Sequence, residues 1–268
     1  MDDCDVDPLE DSDFEPEETG ALPNAEASQF LTSICSLCFI IGDWLNVLRP
    51  GIRRQTVLTK EDVQREREVA TAAYLEQLST WHENIPAILK PPLQLENFSY
   101  WAATLHITYC ATTLRFAALL PDKKETVYAM ASQITDTCQS LESRGLLYSL
   151  WNFGIHELDL AMGQHARQAN STESDVAAVG LQRLQTGLPL IKMLSARSSV
   201  AAQGSEFYEK LVEKVTSRLD MSQEEDSSGM MPAESEPEPD WLYGLDLNDL
   251  AFADWVPQIN HPWGWDIE

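Results

Sequence analysis

Residues Ser28–Leu48 read SQFLTSICSLCFIIGDWLNVL, and their spacing decides the fold class. Apolar side chains recur at Phe30, Leu31, Ile34, Leu37, Cys38, Ile41, Trp44, Leu45 and Leu48. Steps of three and four residues are the period of an amphipathic helix. Ser33, Ser36, Gly42, Asp43 and Asn46 interrupt the run. The segment is therefore expected to be a buried helix, with no apolar stretch in the chain long enough to cross a bilayer. Arg49-Pro50-Gly51 stops it.

The same period continues outward from this helix. Thr59 is placed to cap a helix reaching about His82, with Val63, Ala70, Tyr74, Leu78 and Trp81 on one face. Pro86, Pro91 and Pro92 mark a connection. Phe98–Leu120 is apolar enough to sit at the centre of the core, and Pro121-Asp122 opens a further helix to about Arg144. Gly145 is a natural C-cap, followed by a helix from Leu146 to about Gln168. After a polar break at 169–174, Leu181, Leu184, Leu188, Ile191 and Leu194 form one stripe that Pro189 is expected to kink. A last helix spans roughly Ser205–Leu219. No hairpin signal competes, so the expected class is all-α, an irregular multi-helix domain with acidic, largely disordered flanks at both ends.

Charge divides the chain into three parts. The 268 residues carry a formal net charge of −25, yet residues 19–219 hold 20 acids and all 18 bases. Residues 1–18 contribute 10 acids and residues 220–268 contribute 13, with no Lys or Arg in either. The expected layout is thus an acidic extended segment at 1–27, a helical domain at 28–219 and an acidic tail at 220–268. Val6, Leu9 and Phe14 are spaced so that a few side chains of the first segment could dock on the core. Phosphate recognition needs clustered Lys and Arg, so nucleic acid is not an expected ligand. The acidic N-terminus lacks the features of a signal peptide. Five cysteines, Cys4, Cys35, Cys38, Cys110 and Cys138, are odd in number and sit mostly in apolar runs, which suits a reducing compartment.

Motifs for chemistry fail on spacing. Cys35-Ser-Leu-Cys38 is formally a CxxC, but zinc needs further converging ligands and a redox pair usually opens a helix beside a strand. Both thiols are expected to pack in the core as small hydrophobes. His156-Glu157 begins like a zinc-protease helix, yet the position of its second histidine is Leu160. His82, His106, His165 and His261 are scattered, and no phosphate loop, dinucleotide fingerprint or nucleophile elbow occurs. The expectation is a non-enzyme without metal or cofactor.

The tail carries the one functional pattern. Residues 222–240 are rich in Ser, Glu and Pro and too poor in apolar residues to fold alone. Asp240–Trp255 then reads DWLYGLDLNDLAFADW, with large apolar side chains alternating with carboxylates. Such carboxylates keep Trp241, Leu242, Tyr243, Leu245, Leu247, Leu250, Phe252 and Trp255 solvated and available to a partner's apolar groove. A basic partner would be met faster, and folding on binding would present Leu247, Leu250 and Trp255 from one short helix. Docking of Trp241 and Phe252 on the chain's own core is the competing reading, and a docked tail would be a masked one.

With the helices placed, Asp3-Cys4-Asp5-Val6, Leu9 and Asp13-Phe14 resemble the "DCDV…L…DF" run of fungal binuclear zinc-cluster transcription factors. Leu78, Trp81, Ile85-Pro86 and Leu89 are similar to that family's "L..W…LP..L" stretch. Tyr100–Leu120 stands where the family has an apolar helix usually ending in "HRP", replaced here by Arg115-Phe116-Ala117. Ala131–Leu141 with Gly145 and Trp151 resembles the "AA..I…L…G….W" passage. The resemblance covers roughly residues 1–195 and implies an all-helical regulatory domain. It implies a domain that restrains or tunes a DNA-bound activator through small-molecule or partner binding; the expected location is the nucleus, with partners among coactivators or the transcription machinery, or a full-length homologue. The family's six-cysteine zinc cluster, basic linker and coiled coil have no counterpart, so the chain is expected to be the C-terminal part of such a factor. Two alternatives stay open. One is a truncated homologue acting as competitor or accessory protein, in the cytoplasm; the other is a small-molecule-binding helical domain or an enzyme on that scaffold.

Overall fold

The computed structural model describes residues 25–48, 60–90 and 98–228. Seven α-helices account for nearly all of them: α1 (Ala25–Leu48), α2 (Lys60–Asn84), α3 (Tyr100–Ala117), α4 (Lys124–Glu142), α5 (Asn152–Ala169), α6 (Ser174–Leu194) and α7 (Ser199–Ser228). Short 3₁₀ turns lie at Ala87–Leu89 and Leu147–Ser149, and no strand occurs among the described residues. The fold is all-α. The chain divides into two compact units, 1–161 and 162–268, with the boundary inside α5.

In the first unit α3 is the centre, packed against α1, α2 and α4. Ser99 caps it, its Oγ accepting from the Ala102 amide at 2.9 Å. The helix is buried over almost all of its length, Thr104, Thr112 and Thr113 included. A run of hydroxyls is tolerated there because Thr104, Thr108 and Thr112 each donate to the carbonyl four residues back. Trp44, Leu37, Leu78 and Phe116 form one core cluster, with the Trp44 and Phe116 rings stacked at 4.2 Å. Phe30, Ile85, Leu89, Ala102 and Leu105 form a second.

Two tryptophans pin α1 to α2. The Trp44 Nε1–H donates to Thr71 Oγ1 at 3.3 Å and the Trp81 Nε1–H to Ser36 Oγ at 2.7 Å. A buried indole has one donor to satisfy, and a serine and a threonine in the helix interiors do so. Thr59, the expected cap of α2, lies outside the described residues.

Two expectations about α1 change. By length and composition it is the one described helix long and apolar enough to cross a membrane, because its interrupting residues are few and small and Asp43 lies near its end. Its CxxC does not enter the core either. Cys38 is exposed and Cys35 half-buried. The helix is apolar on nearly all sides, and Leu37, Ile40 and Trp44 take the inward face.

At Gly145 the backbone is left-handed, with φ of 69°. The Gly145 amide bonds the Glu142 carbonyl at 2.8 Å and the Leu146 amide bonds the Leu141 carbonyl at 2.9 Å. This is the paired closure of a Schellman motif. The following helix begins at Asn152, not Leu146, because Leu147 and Leu150 both turn into the core and Leu150 is extended, with ψ of 135°.

In the second unit α6 packs on α7. Leu184, Ile191 and Leu194 of the expected stripe are buried, while Leu181 and Leu188 are half-buried. α6 runs continuously through Pro189, which stands on its exposed side. Gly180 is where the helix passes the end of α5: a Cβ there would lie 2.6 Å from the Gln168 carbonyl carbon and closer still to the Ala169 nitrogen. Arg218 of α7 donates to the Ala169 carbonyl at 2.7 Å, closing the C-terminus of α5. Lys192 and Glu209 form an ion pair between α6 and α7. α7 starts earlier than its apolar pattern suggests, Ser198 accepting from the Ala201 amide, and runs on past residue 219 to Ser228.

Candidate functional site

The tail residues Trp241, Leu242, Tyr243, Leu245, Leu247, Leu250, Phe252 and Trp255 lie outside the described residues. Within the described helices, two features of the first unit collect the chemistry.

The first is a buried polar seam along α3. His82 stacks on Tyr109 with ring centres 3.9 Å apart, and His106 lies 6.2 Å from His82. The Cys110 sulfur is 3.5 Å from His106 Nε2, and its thiol donates to Gln133 Oε1 at 3.6 Å. Between His106 and Cys110 in sequence, the Thr108 hydroxyl, which donates to the Thr104 carbonyl at 3.1 Å, shares its proton with Glu157 Oε2 at 3.5 Å. Glu157 is only 4% exposed. Burial raises its pKa to about 7, against the opposing pull of the Arg115 guanidinium and the Thr108 hydroxyl. Burial also lowers His106 to about 4, helped by the nearby His82 and opposed by Gln133. Cys110 and Cys138 are held up by burial and then by the Glu157 charge.

Each shift favours the neutral form. A thiol raised in this way is a poor nucleophile, and a histidine lowered to about 4 is uncharged at neutral pH. Glu157 is poised to titrate near neutrality. The seam is a buried polar cluster held in neutral form, in which His82 Nε2 has no hydrogen-bond partner.

The second feature is a shallow groove of about 200 Å³ between α1 and the end of α2. Thr32, Ser33 and Ser36 form one wall, and Trp81, Asn84 and Pro86 the other. Gln29 also lines it, with a buried Oε1 that has no hydrogen-bond partner. Its chemistry suits a flat apolar group carrying a donor.

Sequence reading treated His82 and His106 as scattered, whereas the packing of α2 on α3 brings them together with Tyr109 and Cys110. It examined His156-Glu157 as a metal motif; in the structure His156 is exposed and Glu157 buried. Glu157 itself was missed. The available signal was a lone carboxylate between Ile155 and Leu158, both buried, on an apolar helical face. The groove was missed as well, though three hydroxyls within five residues of a strongly apolar helix were visible at Thr32, Ser33 and Ser36.

Comparison with known protein families, with curated proteins and with solved structures finds no match. The functional reading therefore stands on the residues themselves.

Proposed function

We propose that this chain is a transcriptional regulator that acts through protein–protein contacts, a helical regulatory domain joined to an acidic activation tail. The observation that carries the proposal is the segment Asp240–Trp255, in which Trp, Leu, Tyr and Phe alternate with carboxylates. That alternation keeps large apolar groups in water and ready for an apolar groove on a partner with basic rims, such as a coactivator. The near-neutral charge of 19–219 and the absence of bases from both flanks argue for a protein partner over DNA. In the described seam, protonated thiols and a neutral His106 favour a structural role over catalysis. The proposed location is the nucleus.

The test is to fuse residues 220–268 to an unrelated DNA-binding domain and read a reporter. Activation above the DNA-binding domain alone is expected, with most of it lost when Trp241, Phe252 and Trp255 become alanine. A silent fusion, or full activity in the triple variant, would sink the proposal.

A further inference from the structure

The outward face of α1 is chemically unusual. Leu31, Cys35, Cys38 and Gly42 follow one another at four, three and four residues, so they lie along a single stripe. That stripe is opposite the face that buries Leu37, Ile40 and Trp44. Leu31 is 38% and Phe39 50% exposed. A Cβ on Gly42 would meet nothing within 4 Å, so the backbone there is bare. Only 28% of the most apolar stretch of α1 is buried.

Two thiols one turn apart can clamp one ion, as i,i+3 pairs of ligands do on helices of metal-binding bundles. Cys35 and Cys38 stand three residues apart on α1, half-buried and exposed, so their side chains are neighbours on the helix surface. Thiolates select soft or borderline ions, and zinc takes four ligands in a tetrahedron at about 2.3 Å from sulfur. The described residues of one chain supply two at this stripe. Among the described residues no three His, Cys, Asp or Glu side chains converge on a common point.

We propose that Cys35 and Cys38 form half of a tetrahedral zinc site, completed by the same two thiolates of a second copy of this chain. A two-fold axis through the metal presents equal stripes to each other, as an isologous contact requires. Gly42, one turn beyond Cys38, lets the two helix backbones cross closely, and Leu31 and Phe39 are covered on either side of the metal. Binding replaces the four S–H protons by one zinc ion, releases those protons to solvent and leaves the cluster with two negative charges. The acidic chains repel each other, so the metal supplies the attraction that the apolar stripe alone lacks, and added salt should strengthen the pair.

The experiment uses the full chain, purified under reducing conditions, with molar mass measured by light scattering and bound zinc by elemental analysis. The expected result is a dimer with about one zinc for two chains, reverting to monomer with a chelator. Cobalt in place of zinc should give the sulfur-to-metal charge-transfer and visible bands of a tetrahedral thiolate site. Cys35→Ser with Cys38→Ser should lose both metal and dimer at unchanged helicity, as expected at outward positions. Gly42→Phe keeps the thiols and should lose the dimer by obstructing the crossing. A monomer at saturating zinc, one zinc per monomer, or zinc retained by the double serine variant would each overturn the proposal. So would a Gly42→Phe chain that dimerises like the native one.

Discussion

Replacing Glu157 by glutamine isolates the energetics of the buried seam. The carboxyl ordinarily titrates near 4.5 and rises to about 7 in the fold, chiefly through desolvation. A difference of one pKa unit between folded and unfolded chains is worth about 1.4 kcal/mol. Ionised Glu157 should therefore cost the fold about 3 kcal/mol relative to its protonated form. The sign follows from proton counts. Between pH 4.5 and about 7 the unfolded chain has lost this proton and the folded chain keeps it, so stability falls as pH rises. The contribution is fully present below 4.5 and gone above about 7.

His106 works in the opposite direction. It is neutral in the fold down to about pH 4 but titrates at 6.5 when unfolded, so its contribution is present above 6.5 and lost as pH falls through about 4. The two slopes nearly cancel in the native protein between about pH 4.5 and 6.5. Glu157→Gln removes only one of them. Urea unfolding, followed by helical circular dichroism at pH 5 and pH 8, should show the variant close to the native chain at the lower pH. At the higher pH it should be more stable by up to about 3 kcal/mol, or roughly 6–12 °C in midpoint temperature for a chain of this size. The difference between the two proteins is the decisive quantity, since other titrations are common to both. A difference that stays within about 0.5 kcal/mol between pH 5 and pH 8, or a variant less stable at pH 8, would refute the assignment of a desolvated carboxyl.

Gly180→Ala should destabilise by roughly 1–3 kcal/mol in urea unfolding, because the added methyl meets the backbone of Gln168 and Ala169, which has no flexible end to yield. The helix-propensity gain of about 1 kcal/mol from removing a glycine is smaller than that clash, and a stabilised variant would mean that α6 does not approach α5 so closely. Gly145→Ala tests backbone strain alone, since a Cβ there meets nothing within 4 Å but φ is +69°. The expected loss is about 1 kcal/mol by the same assay, and no loss would show that α4 ends in another conformation.

Much of this was legible because a helix writes its inward face at a fixed period. Leu184, Ile191 and Leu194 on α6 and the continuous burial of α3 follow directly from spacing. Gly145 was legible because only glycine readily takes a positive φ after a helix. The boundary at Leu146 was not: Leu147 and Leu150 satisfy helical spacing equally well from a 3₁₀ turn. The seam was illegible for a different reason. His82, His106 and Glu157 stand on three helices, and no local pattern records which faces meet.

α1 shows the limit most clearly. Its apolar residues surround the helix, so periodicity leaves the inward side to be chosen by what the neighbours offer. Trp44 has Phe116 to stack on and Thr71 to receive its N–H, and Ser36 can accept from Trp81. Cys35 and Cys38 are small and weakly polar and have no such claim on the core. Turning them inward would turn Leu37 and Trp44 toward water and abandon two indole hydrogen bonds, each worth about 1 kcal/mol. Exposing two thiols costs less than exposing a tryptophan. The inward choice made by Trp44 thus leaves Cys35 and Cys38 on the outward side of α1, beside a glycine whose Cβ position is open.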